Sequence, residues 1–502
     1  MIKILPVENI RQADAYTIEN EPISSVDLME RAATNAFNWI LKRLKKEQTV
    51  HVFCGPGNNG GDGLVIARLL KFVGYKVCVY ILDGVSSYSN DFLHNKHRLQ
   101  EVDLSCVKIS ASDDVPNISS DDLIVDALFG SGLSKPIVGL LGDLIKRINA
   151  MKAVVISIDI PSGLFADRTS IKRGSNIIHA DYTLSFEVPK LAFFMPENDV
   201  YVGNWEIIPI GILPEFLDRV ECKNFVLTKL NVASLLKHRS KFSHKGTFGH
   251  ALLFAGSKCK MGACVLSSRA AIRSGLGLLS VHIPNHAIDI LQMSVPEAML
   301  SLDENDSVLT SIPKDLDYSS IAIGPGIGKD EKTMRMLKLL IQQYDNPLIL
   351  DADALNILSE NKTWISFLPS GSILTPHPGE FQRLVGKWDS DFDKMEKARA
   401  LAVKHSVYLI LKGAHTMIFT PDGECYLNTT GNPGMATGGS GDVLTGILLG
   451  LLSQSYTPFE ACVLGVYLHG SSGDLAAADK GFESLIASDI IDYLPKAFCE
   501  LY

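Results

Sequence analysis

Short runs rich in β-branched and aromatic residues alternate with stretches of helical period along most of this chain. In the first half they are VHVFC around Val52, KVCVYIL around Val79, LIVDALF around Val125 and AVVISIDI around Val155. Strands separated by helix-length segments do not pair as hairpins; they form parallel βαβ units with helices on both faces of the sheet. Beyond Lys223 the runs ALLFAG, LLSVHI, SIAIGPG, PLILDAD, SILTPH and YLILKGAH repeat the pattern. Between the two series, around residues 210–245, a proline, charges and a short helical pattern break the alternation. A chain of 502 residues also exceeds what one core usually supports. The sequence therefore reads as α/β in two domains, 1–222 and 223–502. Ligands of open α/β sheets bind beyond the C-terminal strand ends, so the turns that follow these runs are where function is expected.

A net charge of -9 argues against nucleic acid or an anionic membrane as the main partner. The nine cysteines include no CxxC pair, which favours reduced thiols in a cytosol over a disulfide framework or a zinc site. The N-terminus turns charged before any long apolar run develops, so it has no signal-peptide core. The most apolar stretch, VLTGILLGLL from Val443 to Leu452, is too short to cross a bilayer and reads as a buried helix. A cytoplasmic location is expected.

The segment CGPGNNGGDGLV sets Gly55, Gly57 and Gly60 in GxGxxG spacing between a strand and a helix. Alone this is a weak dinucleotide signal, with Asp83 as a possible ribose partner. Asn58, Asn59 and Asp62 change its chemistry, because an acid at a helix start occupies the place a pyrophosphate would take. Amides and carboxylates suit a cation or a ribose-and-ring pocket better; the alternative is a tight turn with an Asp cap. Two further strand ends carry DALFGSGLSKP, from Asp126, and DIPSGL, with Asp159 and Ser162. Oxygen groups on three strand ends, Asn59, Asp126 and Ser162, can converge on one hard cation. The N–H groups of Gly130 and Gly132 could receive a phosphate.

Together GPGNNGGDGLV, DALFGSGL and DIPSGL resemble the NAD(P)H-hydrate epimerase family over nearly the first 210 residues. The resemblance implies a Rossmann-like three-layer sandwich and a potassium ion held by Asn59, Asp126 and Ser162. It implies substrate contacts at Asn58, Asn59, Gly60, Gly61 and Asp62, at Gly130, Ser131, Gly132, Leu133, Ser134, Lys135 and Pro136, and at Asp159. Asp159 is the expected catalytic proton acceptor. The residues leave open whether the ring opens or water leaves and returns.

The second half has no GxxxxGK[ST] loop, which disfavours a Walker-type ATPase. In TGNPGMATGGSGDVLTG, however, GGSGD runs straight into an apolar helical pattern. The N–H groups from Gly438, Gly439, Ser440 and Gly441 would form an anion hole, with Asp442 placed to take a hydroxyl proton. That pairing suits phosphorylation of an alcohol; the alternative makes Asp442 a helix cap. His377, held between two prolines, is open to a structural reading as well as a functional one.

AGSKCKMGACVLSSRAA, AIGPGIG, LDADALN, LTPHPGE, LKGAHT and GNPGMATGGSGDVLTG, in this order, resemble the ribokinase-like NAD(P)H-hydrate dehydratase family across about residues 224–502. The resemblance implies a ribokinase-like α/β domain. It implies hydrated-nucleotide contacts at Ala263, Gly326, His377, Pro378, Gly379, Glu380, Phe381, Gln382, Arg383 and Asp442. ADP or ATP, with Mg2+, would meet Lys412, Gly413, Ala414, His415, Thr416 and the Gly438–Gly441 loop. The expected activity is repair of hydrated NADH and NADPH (NADHX and NADPHX): epimerisation of the R and S hydrates, then dehydration of the S form at the expense of ADP or ATP. A homo-oligomer with no nucleic-acid or membrane partner is expected. The rivals are a vitamin-precursor kinase with an accessory N-terminal domain and an NAD-dependent dehydrogenase, disfavoured by the HPGE turn and by Asp62 respectively.

Overall fold

The computed structural model describes residues 1–83, 87–170 and 175–502. Its contacts divide the chain into two compact units. One comprises Lys3–Cys222 with Ser390–Phe392; the other comprises Met1–Ile2, Lys223–Asp389 and Asp393–Tyr502.

The first unit is built on a parallel sheet ordered Cys106–Ile109, Lys76–Leu82, Thr49–Cys54, Leu123–Ala127, Val154–Ile158, Tyr182–Phe186 and Asn204–Ile208. Side chains alternate across a strand, and the sheet has a core on each face. Val52 and Val125 pack with helices Ser25–Leu41 and Asn58–Phe72 on one face. Their neighbours Phe53 and Ile124 pack on the other with Leu144, Ile145 and Ile148 of helix Leu140–Asn149. The result is the three-layer α/β sandwich expected from the alternation. From Thr49–Cys54 the chain adds strands in one direction, and from Leu123–Ala127 in the other. The turns after these two strands therefore diverge and leave a crevice. Gly55 marks its base: its N–H donates to Ala127 O at 3.0 Å, and a Cβ there would stand 1.7 Å from Leu128 O.

In the second unit the parallel strands run Tyr408–Leu411, Ile373–Leu374, Leu348–Leu350, Ser320–Ile323, His250–Phe254, Leu278–Ile283 and Met299–Leu302. Met417–Phe419 continues the sheet antiparallel to Tyr408–Leu411. Growth reverses between His250–Phe254 and Ser320–Ile323, where Gly256 N–H donates to Pro325 O at 2.8 Å. Leu253, Ala322 and Ile349 of the sheet share a core with Cys264, Val443, Ile447 and Leu464 of the helices Met261–Arg273, Ser440–Ser453 and Pro458–Lys480. The VLTGILLGLL stretch lies inside the second of these helices and is buried, as its composition required. Among the described residues no helix is long and apolar enough to cross a membrane.

Candidate functional sites

A cavity of about 590 Å³ opens at the crevice of the first unit, lined by Asn58, Asn59, Asp62, Gly130 to Lys135 and Asp159. Pro136 is not among its lining residues. Gly60 and Gly61 serve packing instead: a Cβ at Gly60 would lie 1.8 Å from Gly55 O, and one at Gly61 2.6 Å from Met29 Sδ.

Asp159 ends its strand in a left-handed conformation, φ 67°, which is strained for a residue with a Cβ. The conformation is held from both ends. Its N–H donates to Leu184 O at 2.7 Å, its Oδ2 accepts the Ser131 N–H at 3.0 Å, and its Oδ1 lies 2.6 Å from Lys190 Nζ. Lys190 is only 1% exposed; its ammonium also donates to Ser185 Oγ at 3.0 Å and to the carbonyls of Phe186 and Val188, each at 3.2 Å. Burial works to raise the Asp159 pKa, but the Lys190 charge and the hydrogen bonds from Lys190 and Ser131 overcome it and hold Asp159 below the usual carboxylate range. Asp62 has no such cation. Burial first, then the charges of Asp159 and Asp14, push it far up.

Asp126 is fully buried. Its Oδ2 accepts Ser157 Oγ at 2.7 Å and Ser162 N–H at 2.9 Å, and its Oδ1 accepts Ser162 Oγ at 2.6 Å and Leu128 N–H at 3.2 Å. All these donors are neutral, and burial keeps its pKa raised. Asn59 sits beside Asp159 rather than in that bonded group: a Cβ on Gly130 would lie 3.2 Å from Asp159 Oδ2 and 3.3 Å from Asn59 Oδ1. Its buried Nδ2 has no hydrogen-bond partner. The structure thus joins Asp126 to Ser162, and places Asn59 by Asp159. Amide, carboxylate and hydroxyl oxygens are the donor set of a hard cation, and a buried carboxylate such as Asp126, met only by neutral donors, fits one.

The second unit holds a cavity of about 800 Å³ lined by His377, Lys412 to Thr416 and Gly439 to Asp442. Helix Ser440–Ser453 starts after Gly439, whose φ of 95° favours glycine, and no side chain caps it. Asp442 is therefore not the cap. Burial first, then the Asp351 charge, push it up to about 7 against the pull of Lys412. Gly438, Ala263, Gly326 and Pro378 to Arg383 are not among the lining residues. Ala263 and Gly326 adjoin each other, 3.3 Å from Cβ to a built Cβ. Phe381 is fully buried, its ring 5.9 Å from Trp388, so its side chain faces the core. Arg383 donates to Asn356 Oδ1 at 2.7 Å. His377 closes a capping box with Glu380, donating its N–H to Glu380 Oε2 at 2.8 Å and accepting the Gly379 N–H at 3.0 Å, which supports its structural reading.

Within LDADALN, Asp351 has a role that the motif alone does not reveal. That buried carboxylate accepts Lys412 Nζ at 2.8 Å, Thr375 Oγ1 at 2.7 Å and Thr445 Oγ1 at 2.7 Å. It fixes Lys412 over the helix start, where a Cβ on Gly441 would meet the ammonium at 3.2 Å. His469, which burial pushes down to about 4, bonds through Nε2 to Ser440 O at 2.9 Å. Being neutral, it donates there and holds the turn. A fixed ammonium, exposed helix N–H groups and a carboxyl poised near neutrality can bind a phosphoryl group and deprotonate a hydroxyl beside it. Lys190 was also missed, although a lone lysine in the otherwise apolar VPKLAFF was a signal.

Two parallel α/β units, each with a polar cavity lined by charged and glycine-rich turns, define a two-site small-molecule enzyme. Residues 25–192 match the family model described as YjeF-related protein N-terminus, and residues 251–496 match that of NAD(P)H-hydrate dehydratase. The bifunctional NAD(P)H-hydrate repair enzyme of Moorella thermoacetica is 34% identical, over 96% of this chain and 94% of that protein. The enzyme of the same name from Escherichia coli is 31% identical, over 97% of this chain and 92% of its own. A Bacillus subtilis ADP/ATP-dependent NAD(P)H-hydrate dehydratase, co-crystallised with ATP and Mg2+, is 34% identical over 55% of this chain and 98% of its own, with a TM-score of 0.49. The chain belongs to the family of bifunctional NAD(P)H-hydrate repair enzymes.

Proposed function

We propose that residues 1–222 interconvert the R and S hydrates of NADH and NADPH, and that residues 223–502 dehydrate the S form at the expense of ADP or ATP. The observation that carries the second activity is Asp442, poised at about 7 beside the helix start and the Lys412 ammonium. In this reading Asp442 takes the proton of the ring hydroxyl as a phosphoryl group is transferred to its oxygen. Phosphate then leaves where hydroxide would not, and the conjugated ring is restored. Lys412 and the N–H groups of Gly439 to Gly441 bind the phosphates; Mg2+ accompanies the nucleotide and would neutralise its charge.

In the first unit Asp159, kept ionised by Lys190, exchanges a proton with the ring hydroxyl. The Gly130–Lys135 turn presents N–H groups to the nucleotide phosphates. Asn59, Asp126 and Ser162 would hold K+, which supplies a fixed positive charge at the base of the site. Nine cysteines without a CxxC pair support a cytoplasmic setting for the enzyme. The test is to give the full chain hydrated NADH of mixed epimers with ADP or ATP and follow the return of reduced-nicotinamide absorbance. Complete conversion of both epimers is expected, and no recovery with either donor refutes the reading.

A further inference from the structure

One wall of the first cavity comes from a segment that carries none of the motifs. Helix Val7–Asn20 precedes the matched family region, which starts at residue 25. It nonetheless sends Ile10, Arg11, Ala13 and Asp14 into the cavity that Asp159 lines. Positions three and four apart share a helix face, so one face of this helix is committed to the site. That face is anchored. Ala13 and Thr17 are buried, Thr17 Oγ1 accepts the Leu213 N–H at 3.2 Å, and Arg11 Nη2 lies 3.4 Å from Gly132 O in the phosphate-facing turn.

Asp14 lines the same cavity as Asp62, Asp159 and Glu187, and the charge of the buried Lys190 also acts on it. Burial first, then the Asp159 charge, push it up to about 6; Lys190 opposes and Glu187 adds. Lys190 bonds Asp159, not Asp14, so the two acids diverge. One cavity then holds a carboxylate kept charged and a carboxyl that gives up its proton only near pH 6, the division expected of a base and an acid.

We propose that Asp14 is a second catalytic residue of the first unit, donating a proton to the ring nitrogen while Asp159 accepts one from the ring hydroxyl. The assignment rests on the epimerase reading above. As Asp159 takes the hydroxyl proton, the bond from the carbinol carbon to the ring nitrogen breaks, the oxygen becomes a carbonyl, and the Asp14 proton passes to the nitrogen. Rotation about the adjacent carbon–carbon bond presents the other carbonyl face. The nitrogen then attacks that carbon, Asp14 recovers its proton from the nitrogen and Asp159 returns its own to the oxygen. Nothing is consumed. Expelling hydroxide instead would give an iminium one proton loss away from NADH, and the first unit would then dehydrate its substrate without any nucleotide.

The test uses the full chain without ADP or ATP, following epimer interconversion by chromatography. Asp14→Asn should lower kcat about 100- to 10,000-fold with KM changed less than about threefold. The variant should melt no lower than the parent, because asparagine removes a carboxyl that is costly to ionise, and its ADP-dependent consumption of the S epimer should be unchanged. The parent's rate should fall as pH rises past the Asp14 ionisation, and Asp14→Asn should lack that limb. In heavy-oxygen water, inversion should outrun incorporation of label. Interconversion by Asp14→Asn within about threefold of the parent, a loss confined to KM, or one label per inversion would each overturn the assignment. A parent enzyme that does not interconvert the epimers refutes the epimerase reading itself, before any variant is made.

Discussion

Asp159 and Asp442 are both carboxyl groups set into the wall of a polar cavity, yet their surroundings drive them in opposite directions. Asp159 touches Lys190 at 2.6 Å and is held ionised. Asp442 has Lys412 nearby, but that lysine is bonded to Asp351 at 2.8 Å, and the Asp351 charge helps push Asp442 up to about 7. The difference lies in where the lysine's partner is. A buried ammonium that serves the reacting carboxylate directly makes a permanent anion; one that serves a neighbouring carboxylate leaves the reacting group poised to gain or lose a proton.

The largest test of this contrast is Asp442→Asn, which should lower dehydration about 100- to 10,000-fold while leaving epimerisation intact, as single-turnover assays of each reaction would show. Near-normal dehydration would remove Asp442 from the chemistry. Next is Lys190→Met. It strands a buried charge, for which about 3–5 kcal/mol of stability is the usual loss, so calorimetry should record a lower transition for the first unit, and epimerisation should fall with it. The pH dependence should invert as well. In the parent, the folded Asp159 pKa lies below its unfolded value near 3.8, so the pair stabilises fully above that value and fades as pH falls through the folded one. In the variant only the Ser131 hydrogen bonds still oppose burial, the folded pKa is raised, and stability is lost as pH rises.

A smaller effect is expected at Asp126, which has only neutral donors. Asp126→Asn should reduce epimerisation about 10- to 100-fold and abolish its dependence on K+, with little change in melting temperature. A rate still raised by K+ would place the cation elsewhere. Smallest is the pH profile of dehydration: kcat/KM should climb about tenfold per pH unit below about 7 and level above it, because Asp442 must be ionised to accept the hydroxyl proton. A flat profile through neutrality would mean that Asp442 titrates well away from that value.

The strands, the reversal crevices and the glycine turns were legible because each is encoded locally, by alternation or by a motif of a few residues. Asp159 and Asp442 were legible because each sits inside such a motif. What supports them was not. Lys190 reaches Asp159 across 31 residues, and Thr445 reaches Asp351 across 94. Asp14 lies on a helix rich in polar residues, so nothing in VENIRQADAYTIEN separates it from a solvated residue. Phe381 shows the opposite error: it adjoins the HPGE turn in sequence, but helical rotation carries its ring into the core.

Asp351 gathers Thr375, Lys412 and Thr445 from three separate elements, lying 24, 61 and 94 residues further along the chain. The Lys412 and Thr445 bonds cannot form until distant parts of the sheet and helix Ser440–Ser453 have docked. Contacts of such sequence separation close late, since the chain entropy of bringing them together must be overcome first. During refolding, helix content and compaction of the second unit should therefore precede any capacity to bind nucleotide, and the return of that capacity would time the last step of folding.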